Sequence, residues 1–406
     1  MQTKKITFII ALHILSGSVF AQTSLSTSED SLNNNLTKSA TTIGGYGNSF
    51  YQRNSNTKTS KLNLERFVLF TGHKFNDKIS VFSELEVEDA KVTGGESGGE
   101  VAIEQAFLKF NLNASQYIVA GLFIPRIGIL NENHLPNTFN GNERNFVETL
   151  IIPSTWREIG IGFYGNLNNL PVNYSVGIVN GLSSGRFTHG TGLQNGRFEG
   201  RNATANNLAI TAAVQVYQGG FKAQLSGYYG GTIGLNKRQA DSLGLQSGIF
   251  GTPVALGEGD IQYTRHGFSI RALAVIVSIP QAVKINSAYS NNTPKTEYGA
   301  YVELGYDVFY AIKKPHEKQL IIFIRDEKLN INATIPSNGS IDNTLNQNYL
   351  VAGFSYLPIR NVAIKGDVRF AYTGNQNPEL LNNPNTNAVP YPVSYNLLNL
   401  GVAFSF

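Results

Sequence analysis

GLFIPRIGILNENHLPNTFNGNERNFVETLIIPSTWREIGIGFYG, residues 121–165, begins and ends in strand-like alternation but keeps neither a helical nor a strand period between Pro125 and Thr155. Pro125, Pro136 and Pro153 interrupt it, so it reads as a loop of about thirty residues. A loop of that length is uncommon in a compact domain and usually carries function. It mixes Arg126, Glu132, Glu143, Arg144, Glu148 and Arg157 with Ile151, Ile152 and Trp156, which suits a segment with one side packed on a wall and charge on the other. The expectation is a loop folded into the lumen of a tube, and the rest of the chain should supply the tube.

Outside this stretch, short strand-like runs start near residues 40, 61, 78, 100, 115, 156, 171, 206, 220, 257, 268, 296, 318, 345, 360 and 393. In one run Ile79, Val81, Leu85 and Val87 oppose Glu84, Glu86 and Glu88. In another, Tyr298, Ala300, Val302, Leu304, Tyr306, Val308 and Tyr310 oppose Glu297, Glu303 and Asp307. In a third, Val362, Ile364, Val368, Phe370 and Tyr372 oppose Lys365, Asp367 and Arg369. Period-two alternation of this length suits strands tilted across a bilayer, with lipid on one face and water on the other. The joins alternate too: brief turns such as Gln218–Gly219 and His266–Gly267 take turns with long polar loops such as Leu182–Ala205 and Gly231–Leu256. Short turns on one rim and long loops on the other fit a transmembrane antiparallel β-barrel, here of about 16 strands, with 14 or 18 as the counting margin. The quoted stretch is then its third long loop. A barrel of this size encloses water, whereas eight strands would be filled by side chains.

The amino-terminal residues carry Lys4 and Lys5, then a mainly apolar run from Ile6 to Val19 and the sequence Val19-Phe20-Ala21, which reads as a secretory signal over residues 1–21. Residues 22–39 are a polar lead-in rich in Ser and Asn, and residues 40–406 are assigned to the barrel. Of 32 Lys and Arg residues two lie in the leader, against 28 Asp and Glu, so the mature chain is nearly balanced and nucleic acid is not expected as a partner. The absence of cysteine removes disulfides, thiolate catalysis and Cys-based zinc sites.

The final run, Tyr395–Phe406, alternates Leu398, Leu400, Val402, Phe404 and Phe406 against Asn399, Gly401, Ala403 and Ser405. It ends on an aromatic residue, and so resembles the signal by which outer-membrane proteins are handed to their assembly machinery. Gly121-Leu122-Phe123-Ile124-Pro125 leading into a charged third loop, Ser83-Glu84-Leu85-Glu86 and Ile324-Arg325-Asp326-Glu327 resemble porins of the phosphate-selective O and P group and their Bacteroidetes-type relatives. That resemblance implies a homotrimeric sixteen-stranded porin among the lipids of a Gram-negative outer membrane. It implies a third loop that narrows a path for small hydrophilic solutes and ions, anions such as phosphate among them. The family's anion path rests on an arginine ladder, whereas here the expected lumen-facing Lys365 and Arg369 are matched by Glu84, Glu86, Glu88, Glu303, Asp307 and Asp367. Because both signs meet at the constriction, weak selectivity slightly favouring anions is the expectation.

Six histidines, at 13, 73, 134, 189, 266 and 316, show no metal-ligand spacing, so no metal and no cofactor is expected, and His134 is read as a solvated loop residue. Gly94–Gly99 precedes no helix and is read as a turn rather than a phosphate cradle. An enzymatic barrel, protease or lipase, would need a nucleophile beside a pairing such as His134 with Glu132 or Glu143, and no nucleophile motif flanks it. A receptor or adhesin displaying long loops on a closed barrel is the chief rival to a channel. A TonB-dependent transporter needs a plug and more strands than this chain holds.

Overall fold

The computed structural model describes residues 39–89, 99–312, 317–378 and 392–406. The leader, nearly all of the lead-in and Gly94–Gly98 lie outside the described residues.

The strands are β1 (Ala40–Asn54), β2 (Ser60–Lys74), β3 (Ile79–Glu88), β4 (Glu100–Asn111), β5 (Gln116–Phe123), β6 (Glu158–Leu167), β7 (Val172–Asn180) and β8 (Leu208–Gln218). They continue as β9 (Phe221–Gly230), β10 (Val254–Arg265), β11 (Phe268–Ser278), β12 (Thr296–Asp307), β13 (Gln319–Thr334), β14 (Asn346–Ile359), β15 (Val362–Thr373) and β16 (Ser394–Ser405). Each pairs antiparallel with its sequence neighbours, and β1 pairs with β16, so the sheet is a closed barrel. Closure is completed at the carboxy-terminus, where the backbone of Phe406 exchanges hydrogen bonds with Gly45 at 2.8 and 3.0 Å. A closed ring leaves no sheet edge unpaired.

Alternation decides which way each side chain points. On β12, Tyr298, Val302 and Leu304 face outward and exposed, whereas Glu297, Tyr301 and Glu303 face inward and buried. Exposed apolar residues recur around the outside, for example Leu62, Ile103, Ile161, Leu225, Ile324 and Leu400. An apolar belt so extensive belongs against hydrocarbon rather than water. Two short-rim turns use paired positive φ angles, 58° and 88° at Gly219 and Gly220, and 54° and 82° at His266 and Gly267. Their backbone twist matches that of the flanking strands.

Among the described residues, α1 (Lys237–Ser242), α2 (Ala282–Tyr289) and α3 (Val308–Ile312) lie in the connections between strands. Val308 and Tyr310, expected to continue the strand pattern of β12, lie instead in α3. Asp307 ends the ladder there, its carboxylate accepting the amides of Phe309 at 3.1 Å and Leu320 at 3.0 Å.

Candidate functional site in the partitioned lumen

The third loop leaves the wall early. β5 stops opposite Ala106 although β4 runs on to Glu100, because Pro125 has no N–H with which to extend the ladder. The chain therefore turns into the lumen partway up the wall, and from Ile124 to Arg157 every residue is buried or half-buried. One π-helical turn, Val147–Ile151, interrupts the otherwise irregular path expected from the sequence.

One flank of the loop packs as an apolar core. Ile127, Ile129, Val147, Ile151, Ile152 and Trp156 join Tyr228, Leu256, Leu273, Tyr301 and Leu329 of the wall in a single cluster. The Trp156 ring lies 4.6 Å from that of Tyr228, and its Nε1 donates to Glu158 at 2.8 Å. Glycine on the wall makes the room: a Cβ at Gly299 would come within 2.9 Å of Val147 Cγ1, and one at Gly401 within 2.2 Å of Asn142 Oδ1.

Polar ties fasten the same loop to many strands. Lys365 Nζ donates to the carbonyls of Pro136, Phe139 at 2.7 Å and Gly141 at 2.9 Å. Asp367 accepts two bonds from Asn142, at 2.9 Å from its backbone and 2.7 Å from its side chain. Glu303 binds Asn140 at 3.0 Å and Arg325 at 3.0 Å. Glu148 is enclosed, accepting from Leu130 N at 2.7 Å, Asn145 at 2.9 Å and Tyr301 at 2.8 Å. Glu132 pairs with Lys222 and accepts from Gln215 at 2.8 Å. Arg126 lies over Tyr164, 4.9 Å from its centroid. Arg369 meets Glu143 at 3.2 Å and covers the Phe146 ring at 4.3 Å.

Toward β1–β4 the loop meets a cluster of charges. Arg66 lies 3.4 Å from Glu65, 3.7 Å from Glu86 and 3.4 Å from Glu88, while Arg157 lies 3.9 Å from Glu86 and 3.4 Å from Glu199. Arg144 acts electrostatically on Glu86 and Glu104 from the loop side. Four acids here meet water, Glu65, Glu88, Glu143 and Glu199 at 23%, 45%, 22% and 31% exposed, whereas Glu84, Glu86 and Glu104 are as buried as Arg66, Arg157 and Arg369, and Arg126 and Arg144 are half-buried.

Two β-bulges help to build this cluster. Asn48 pairs with Arg66 and Ser49 with Leu64, so Glu65 is an extra residue in β2; Glu84 pairs with Gln105 and Leu85 with Ile103, so Glu104 is an extra residue in β4. A bulge turns adjacent side chains to the same face, and Glu104 and Gln105 are both buried inside. Strict alternation thus missed Glu104 and Arg66. The available signal was two successive polar residues, Glu65-Arg66 and Glu104-Gln105, inside otherwise alternating runs.

His134 differs from its expected solvated state. It is 8% exposed and lies against Glu84 and Glu104, with Nε2 at 3.9 and 3.8 Å from their Oε2 atoms, rather than pairing with Glu132 or Glu143.

No family model matches the chain. An uncharacterized protein of Aquifex aeolicus (strain VF5) is 29% identical over 345 residues, covering 81% of this chain and 75% of that one. Among solved structures, an anion-selective porin from Comamonas acidovorans superimposes with a TM-score of 0.54 at 12% identity, over 91% of this chain and 100% of its own. The Salmonella typhi OmpF complex with daunomycin gives 0.56 at 12% identity, over 90% and 97%. The outer-membrane expressed OmpT of Vibrio cholerae gives 0.51 at 9% identity, over 92% and 99%. At these identities the likeness establishes the fold, a porin-like sixteen-stranded barrel.

Proposed function

We propose that the chain is an outer-membrane porin, a channel without catalytic activity that passes small hydrophilic solutes and ions past the charged cluster between the third loop and β1–β4. The observation that carries this reading is the division of the lumen. Loop and wall close over one another with apolar side chains on one flank, while partly hydrated carboxylates line the other. The porin fold of its structural neighbours supports the same reading, as do an apolar outer belt and a strand ending in Phe406 suited to the assembly machinery. A homotrimer among outer-membrane lipids is part of the proposal.

Selectivity follows from which charges meet water. Beyond about 8 Å a charge is screened at physiological salt, so an ion responds chiefly to the nearest exposed groups. Those are Glu65, Glu88, Glu143 and Glu199 with the half-buried Arg126 and Arg144, whereas Lys365, Arg325 and Arg369 are buried and engaged. We infer a weak cation preference in place of the slight anion preference expected from sequence, and propose no phosphate path. Planar-bilayer recording tests this directly. The wild type should open aqueous channels, and Glu65→Gln with Glu88→Gln should move the reversal potential toward anions, most strongly at low salt. A bilayer left impermeable favours the closed receptor; open channels with an unmoved reversal potential place conduction elsewhere.

A further inference from the structure

We propose that Glu84, Glu104 and His134 form a binding site for one divalent transition-metal cation, of the Zn²⁺ or Mn²⁺ class, which pins the third loop to the barrel wall. The inference is independent of the channel reading, since it concerns how the loop is held.

Three segments converge on the site: Glu84 from β3, Glu104 from the bulge of β4, and His134 from the loop. One ligand atom from each lies within 4.8 Å of the others, and all three residues are buried. Two donors on one ion with bonds of about 2.1 Å stand about 3.4 Å apart in a tetrahedron and never more than about 4.2 Å. The 3.8 and 3.9 Å separations of His134 Nε2 from the carboxylates fall between these limits.

The polar accounting inside the cluster is incomplete without a third body. Glu104 is 0% exposed, yet its Oε1 has no hydrogen-bond partner, and neither has His134 Nδ1. Nε2 is too far from either carboxylate for a hydrogen bond, so no direct bond explains why the ring sits between two acids. A cation held by Nε2 and the Glu104 carboxylate would give that carboxylate the partner its Oε1 lacks. Both carboxylates are held in place by donors on the oxygens nearest Nε2: Tyr46 Oη donates to Glu104 Oε2 at 3.0 Å and Gln105 Nε2 to Glu84 Oε2 at 2.6 Å.

Charge and space agree. The surroundings hold Glu65, Glu84, Glu86, Glu88 and Glu104 against Arg66, Arg126, Arg144 and Arg157, so negative charge stays in excess by one. A cavity of about 40 Å³ lined by Glu84, Gln105, Arg126, Glu132 and His134 adjoins the cluster, with room for water. One imidazole with two carboxylates is a donor set suited to first-row ions rather than to Mg²⁺ or Ca²⁺ alone.

The experiment uses the full-length barrel in detergent, stripped with chelator and titrated separately with Zn²⁺ and Mn²⁺, with folding checked by heat-modifiable electrophoretic mobility. The expected result is one ion per chain, with affinity falling about tenfold or more in His134→Gln and in Glu104→Gln, but not in Asp241→Asn, a change on an exposed loop helix. If Glu104→Gln does not fold, Mn²⁺ bound to the wild type decides the matter: pulsed EPR should detect a coordinated imidazole nitrogen that His134→Gln lacks. Absence of stoichiometric binding, equal affinity in wild type and His134→Gln, or a bound ion without a nitrogen ligand would each overturn the proposal.

Discussion

The wall of β8–β13 and the wall of β1–β4 meet the same loop in opposite ways. Toward β8–β13, Ile151, Ile152 and Trp156 are fully buried against Tyr228, Leu273 and Tyr301, and each burial of that kind contributes about 1.5–3 kcal/mol. Toward β1–β4, Arg66, Glu86 and Glu104 of the wall meet Arg144 of the loop, and several of their polar atoms have no hydrogen-bond partner among the described residues. One flank fixes where the loop sits; the other lines it with charge. A narrow channel needs both, since a loop without an apolar anchor would sample the whole lumen, and a loop anchored all round would close it.

The comparison can be broken most forcefully at Trp156. Trp156→Ala should destabilise the barrel by about 3–5 kcal/mol, because it opens a cavity in the packed flank and deprives buried Glu158 of its Nε1 donor. Glu88→Gln, altering a side chain 45% exposed, should leave the unfolding midpoint almost unchanged. Urea titration of the two refolded variants in the same detergent checks the pair. Equal losses would mean that the flanks do not divide the labour as described.

A second test sharpens the packed side by repairing its exception. Glu297 is fully buried on β12, and neither carboxylate oxygen has a hydrogen-bond partner. Burying a carboxyl without partners is costly, so Glu297→Gln should raise stability by about 1–3 kcal/mol in the same titration. A loss instead would reveal a partner that the neutral amide cannot serve.

Much of this architecture was legible beforehand, and the reasons for the remainder are local. All sixteen strands begin within three residues of where alternation places them, and the third loop lies in the lumen as expected. Alternation is readable because lipid and lumen impose opposite polarity on successive residues. It fails at a bulge, where one added residue at Glu65 or Glu104 reverses the parity without changing composition. It is equally silent about docking. Gly299 and Gly401 look like ordinary strand glycines, and only the approach of Val147 and Asn142 shows why a side chain would be excluded there. The convergence of Glu84, Glu104 and His134 has no sequence spacing at all, since three separate segments supply it.

The smallest expected effect lies above both flanks, where long loops pack over the barrel. His189 Nε2 contacts Asp342 at 2.9 Å and its Nδ1 contacts Asn292 at 2.9 Å, so one imidazole joins the loops at 181–207, 279–295 and 335–345. Burial pushes the Asp342 carboxyl upward, but bonds from His189 and from both the hydroxyl and the amide of Thr344 outweigh it and hold the group below the ordinary aspartate range. A carboxyl depressed on folding adds stability above its unfolded value and loses it as pH falls through the lower folded one. The clasp should therefore persist from neutrality to just below the usual aspartate titration and release only under stronger acid. Amide exchange in residues 339–345 should be slow at pH 5 and faster, after correction for intrinsic rates, near pH 3, while exchange in β12 and β13 stays unchanged. Asp342→Asn should show the faster exchange already at neutral pH. Equal protection in the variant would mean that backbone packing, not this carboxylate, holds the loops together.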